Sequence, residues 1–136
     1  MRTLFFVISM TVLVVGCKKT PGDGGLATIR GNVVQEIRFV LTNPATYATE
    51  YPAPDADVWI VYGDNVSPNE RVRTNYDGAF EFQFLRPGDY TIYVYSNDTT
   101  GAPDVAPDRM PIIKKVTIDE RRQDIDLGEF RIYDRP

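Results

Sequence analysis

The chain has 136 residues, a formal charge of −4 and no histidine, with one cysteine in the whole length. That length suits a single domain, and an acidic balance gives no electrostatic footprint for nucleic acid. Without histidine or a second cysteine, Ser-His, Cys-His and His-metal centres are excluded.

In chain order, the first element is a leader. Met1 and Arg2 start it with positive charge, and LFFVISMTVLVV (4–15) is almost wholly apolar. That run is too short for a bilayer-spanning helix, which needs about 20 residues, and suits the apolar region of a signal peptide. LVVGC (13–17) then resembles the lipobox of bacterial lipoproteins. The resemblance implies cleavage before Cys17 and a diacylglyceryl group on its thiol. One acyl chain holds a protein to a membrane only marginally, whereas two anchor it stably. The expected organisation is a signal peptide over 1–16, a lipidated Cys17 with a Gly- and Pro-containing tether over 17–25, and a folded domain over 26–136. The expected location is the bacterial outer membrane, with the side open.

From Leu26 onward the pattern is β throughout. ATIRGNVV (27–34) reads as the first strand, and QEIRFVLT (35–42) either extends it or forms its own. Residues 43–55, with their three prolines, read as a long loop. ADVWIVYG (56–63), ERVRTN, GAFEFQF, DYTIYVYS, PIIKKVTI and RQDIDLGEFRIY follow as strands, with a second long loop over 97–109. Short strands separated by Gly, Pro, Asn and Asp clusters predict an all-β fold, an antiparallel sandwich of seven or eight strands.

Parity sharpens this, because side chains on a strand alternate faces. A two-residue hairpin at Pro87-Gly88 would place Phe80, Phe82 and Phe84 on the opposite face from Tyr90, Ile92 and Val94. Both sets are apolar, so the chain either bulges or crosses between sheets at this corner, and the crossing is favoured. On that reading Phe80, Phe82, Phe84 and Tyr90 belong to the core.

The run from Gly78 to Val94, GAFEFQFLRPGDYTIYV, resembles the signature of carboxypeptidase regulatory-like domains. These belong to the transthyretin-like (prealbumin-like) sandwiches and are related to collagen-adhesin repeats. IRGNV (29–33) and ADVWI (56–60) match the first two strands, so the resemblance covers roughly 27–133. It implies a sandwich and leaves function open, since this architecture serves many roles. The segment 35–55 departs from the pattern. Collagen-adhesin repeats often carry a lysine–asparagine crosslink, but no lysine falls on the first strand here. In size and composition the chain resembles small lipoproteins of Bacteroidota, and Asp98-Thr99-Thr100 resembles an O-glycosylation acceptor of that group, with Thr99 as the modified residue.

Chemistry-bearing side chains are few. Asp55 with Asp57, or Asp124 with Asp126, would put two carboxylates on one strand face, as a glycosidase needs. A charge row that discourages aggregation explains them more simply. Asp55, Asp57 and Asp64 are the weak candidates for calcium, and turn chemistry accounts for them equally well. No cofactor is implied. The positive lead is aromatic: if Val58 and Ile60 point inward, Trp59 points out, and the same alternation turns Tyr93 and Tyr95 out. The bland alternative is that segment 35–55, with Tyr47 and Tyr51, folds over them. The expectation is a membrane-tethered module without catalysis that offers an aromatic face to a glycan or an envelope protein. A structural spacer or an assembly component joined through sheet edges is the alternative, and a carboxylate-dependent hydrolase comes third.

Overall fold

The computed structural model describes residues 19–39, 47–97 and 109–134. Eight strands form two sheets. They are β1 (Asp23–Phe39), β2 (Tyr47–Pro52), β3 (Asp57–Tyr62), β4 (Glu70–Arg73), β5 (Ala79–Leu85), β6 (Gly88–Asn97), β7 (Arg109–Ile118) and β8 (Asp124–Asp134). One sheet is built on β1, with β2 and β5 sharing one of its edges and β8 the other. The second has the order β4-β3-β6-β7. All pairings are antiparallel except that of β8 with β1.

Alternation selects the core. Ala27, Ile29 and Val33 of β1 meet Val58 and Ile60 of β3, Phe80, Phe82 and Leu85 of β5, Tyr90, Ile92 and Val94 of β6, Ile118 of β7 and Phe130 of β8. Each fully buried large side chain removes enough apolar surface to contribute about 1.5–3 kcal/mol.

The chain does cross between sheets at the Arg86–Pro87 corner, because β5 pairs with β1 whereas β6 pairs with β3 and β7. A bulge is present as well. Ile29 faces Phe82 and Ala27 faces Leu85, so β5 carries an extra residue between these pairs. Phe84 takes a φ of 58° there, and its neighbour Leu85 turns into the core. This corrects the placement of Phe84, which is 64% exposed. A left-handed backbone is costly for a bulky side chain and cheap for asparagine. Phe84→Asn is therefore expected to stabilise the fold by about 1 kcal/mol, read as a higher urea midpoint with an unchanged slope.

The segment after residue 34 extends the first strand, one of its two expected readings, and the stretch expected to be a loop over 43–55 is partly ordered. Residues 27–39 form one continuous strand, and the proline-rich stretch contains β2, which pairs with the second half of β1 through Val34↔Pro52 to Ile37↔Thr49. Proline is tolerated because β2 is an edge strand and Pro52 ends it. Ordered strand reaches into the segment expected as a tether over 17–25. β1 begins at Asp23, and the Gly22 N–H donates to the Tyr90 hydroxyl at 2.9 Å. The Gly22 carbonyl accepts from Arg86 N–H at 2.8 Å. Gly25 lies so close to Leu85 that a Cβ would sit 1.8 Å from the carbonyl oxygen, which explains a glycine in ordered strand. Cys17 and the leader lie outside the described residues.

Candidate functional site

Trp59, Tyr93 and Tyr95 share the outer face of the β4-β3-β6-β7 sheet. Register puts Arg71, Trp59, Tyr93 and Ile113 in one row across its strands, through Trp59↔Arg71, Trp59↔Tyr93 and Tyr93↔Ile113. Tyr95, opposite Pro111, sits two residues further along β6. The indole and the Tyr93 ring stack with centroids 6.4 Å apart and planes 12° from parallel. Tyr95 meets Tyr93 edge to face at 5.5 Å.

Cations flank both ends. The Arg71 guanidinium lies 5.3 Å over the indole, and that of Arg109 lies 6.0 Å over the Tyr95 ring. Since β4 and β6 lie on opposite sides of β3, the indole is bracketed by Arg71 and Tyr93. Trp59 and Tyr93 are accordingly half-buried, whereas Tyr95 is 42% and Ile113 53% exposed. Trp59 Nε1 is shielded from solvent without a hydrogen-bond partner among the described residues. Burial, with the neighbouring Tyr95 hydroxyl, raises the Tyr93 phenol above its ordinary value. Tyr51 does not cover the strip, because β2 extends the opposite sheet.

The acidic candidates are distributed differently. Asp57 pairs with Arg73 at 3.3 Å and Arg71 at 3.6 Å, and Asp55, in a left-handed turn, pairs with Arg73 at 3.4 Å. Asp64 follows the other end of β3, a strand length away, so these three do not converge. Among the described residues no group of three or more acidic side chains is arranged to hold a metal ion. Asp124 and Asp126 share a face of β8, where Arg30 bridges them at 3.2 and 3.8 Å. They are members of a surface charge row. Thr99 lies outside the described residues.

Sequence reasoning missed three features. Arg71 and Ile113 belong to the aromatic row, and alternation in ERVR and PIIKKVTI carried the signal. Lys114 points inward from β7, donates to the carbonyls of Leu127 (2.6 Å) and Glu129 (2.8 Å), and sits 4.6 Å over the Phe130 ring. No local pattern announces that contact.

The third is Tyr62, whose hydroxyl lies 2.8 Å from Asp23 Oδ1 and 3.2 Å from Glu70 Oε2. Burial first, then the bond to Asp23 and the charge of both carboxylates, push its pKa well above the ordinary 10.0. Burial moves Tyr90 the same way. A raised phenol pKa means the unfolded chain ionises first. The associated stability is present below pH 10 and falls as pH rises beyond it. Urea midpoints are expected to drop between about pH 9 and about pH 11, less steeply in Tyr62→Phe, with the difference bounded by one proton.

No family model and no curated protein matches the chain. Among solved structures it is similar to a Pseudomonas aeruginosa protein proposed to bind carbohydrate, at 13% identity over 79% of this chain and 90% of the other, with a TM-score of 0.48.

Proposed function

We propose that this protein is a lipid-anchored, non-catalytic module of the bacterial envelope that docks a protein partner on the outer face of the β4-β3-β6-β7 sheet. The observation that carries the reading is the contiguous row of Arg71, Trp59, Tyr93 and Ile113, continued by Tyr95, Pro111 and Arg109. Trp, Tyr and Arg are the residues that dominate protein interfaces. A glycan stacks on an open ring face, and the indole has Arg71 and Tyr93 on its two flanks. What the strip offers is the exposed part of Tyr95, an exposed isoleucine and guanidinium groups, which suit a protein surface better than a sugar.

The lipid anchor at Cys17 is supported by the lipobox-like LVVGC. The absence of histidine and of a second cysteine supports the non-catalytic reading. Assembly through sheet edges has less support at β7 and β8. Pro111 interrupts the donors of β7, and Lys114 occupies two carbonyls of β8.

The test is a photo-crosslinking residue placed at Ile113 of the full chain in cells, with Glu81 on the other sheet as control. A discrete protein adduct at 113, absent at 81 and lost with Tyr95→Ser, is the expected result. Adducts equal at both positions, or glycan-array binding that disappears with Trp59→Ala, would overturn the protein-partner reading.

A further inference from the structure

Exposed apolar side chains occur at both ends of the sandwich, and one group surrounds the point where the N-terminal segment joins it. Gly63 N–H donates to Asp89 carbonyl, Gly88 pairs with Ile118, and Gly22 binds Arg86 and Tyr90. These contacts put the start of β1, the end of β3, the β5–β6 corner and the β7–β8 turn at one pole. Lys19 belongs to it as well, through its 3.3 Å contact with Asp119.

Cys17 is two residues before Lys19, and two peptide units span at most about 7 Å. A lipid on Cys17 therefore holds this pole close to the bilayer surface. On the outer face of the β1 sheet at this pole stand Leu26, 43% exposed, and Phe84, 64% exposed. They flank the Ala27↔Leu85 pair diagonally. Arg86 follows on the corner, and Arg121 and Arg122 lie in the turn whose Gln123 carbonyl accepts from Thr28 N–H at 2.8 Å. All three arginines are exposed. In the same turn Asp119 is paired with Lys19, and Glu120 is the remaining carboxylate. The acidic residues Asp64 and Asp89 lie on the other sheet's side of the pole, and Asp23, at the start of β1, accepts from the Tyr62 hydroxyl of that sheet at 2.8 Å.

We infer that Leu26 and Phe84, with Arg86, Arg121 and Arg122, form a second membrane contact that seats the domain on anionic phospholipid. The inference rests on the lipid-anchor reading. Apolar side chains entering the headgroup region beside arginines are the usual chemistry of an interfacial surface. It also accounts for a phenylalanine in the left-handed conformation of a bulge, where the backbone is strained and the ring projects into solvent. The seating has a geometric consequence. β6 runs from Gly88 at this pole to Asn97, roughly 30 Å at about 3.3 Å per residue. Tyr95 and Arg109 are thereby held away from the bilayer, where a partner can reach them.

The test uses the full chain, processed in bacterial membranes and reconstituted into phosphatidylethanolamine–phosphatidylglycerol vesicles. A spin label is attached at Gln83→Cys, or at Tyr76→Cys on the opposite pole. Collision with a water-soluble nickel complex is expected to be several-fold lower at 83 than at 76. Adding Leu26→Asn and Phe84→Asn should bring 83 up to the level of 76 while the protein stays on the vesicles. A vesicle-bound chain with equal accessibility at both positions overturns the seating and leaves the anchor standing. A chain that stays in the supernatant, or whose Cys17 reacts with a thiol reagent, overturns both.

Discussion

Phe130→Ala is expected to cost about 3–5 kcal/mol. Phe130 is fully buried and packs edge to face against Phe80 at 5.8 Å, linking β8 to β5 across the β1 strand between them. It also carries the Lys114 ammonium 4.6 Å over its ring. Truncation leaves a cavity against Phe80 and removes the aromatic surface beneath a partly buried cation. Domains of this size have about 5–15 kcal/mol in total, so most of the folded margin would be lost. Urea denaturation followed by tyrosine and tryptophan fluorescence measures it. Phe84→Ala is the matched control, since an exposed ring in a strained position has little packing to lose. A Phe130→Ala loss no larger than that of Phe84→Ala would contradict the placement of β8.

The second large effect is at Tyr90, where the change is a single oxygen. Its hydroxyl accepts from Gly22 N–H at 2.9 Å and donates to the Arg86 carbonyl at 2.6 Å. Tyr90 is 1% exposed, and Gly22 is buried with it. Tyr90→Phe keeps the ring, its edge-to-face contact with Tyr62 at 5.6 Å and the core volume. What it removes is the partner of a buried donor and of a partly buried acceptor. Each orphaned group costs about 1–3 kcal/mol, and the pair is expected to cost about 2–4 kcal/mol. The loss should be local before it is global. Proteolysis near Pro21–Asp23 is expected to accelerate by more than the urea midpoint suggests, because this bond ties the N-terminal segment to the β5–β6 corner.

The second of these residues illustrates what was legible in the sequence. Tyr90 reads as core from alternation with Ile92 and Val94, and it is core. The same alternation places Phe80, Phe82, Trp59, Tyr93 and Tyr95 on the faces they occupy, because a strand's side-chain period is a local property of the backbone. The crossing between sheets at Arg86–Pro87 was legible too, since two apolar sets on opposite faces can both be buried only from opposing sheets. Phe84 was misplaced because a positive φ at one non-glycine residue resets the alternation without a mark in the sequence. The stretch 43–55 reads as loop because its prolines resemble breakers, and Pro52, the one proline in β2, is harmless only because it ends an edge strand.

By itself the sequence determined the β class, the core-facing residues of β3, β5 and β6 apart from Phe84, and the outward direction of the aromatic strip. All of these follow from period-2 alternation and turn chemistry, which act over a few residues. Tertiary structure alone decided which strands are neighbours, because pairing depends on contacts between residues far apart in the chain. It joined β8 to β1 in parallel, aimed Lys114 at the β8 carbonyls and lined up Arg71, Trp59, Tyr93 and Ile113 in one row. It also placed the strip on the half of β6 away from the end where the N-terminal segment joins, from Tyr93 to Tyr95. That separation is a property of the folded sandwich, in which the N-terminal segment is bound to the β5–β6 corner by the hydroxyl of Tyr90.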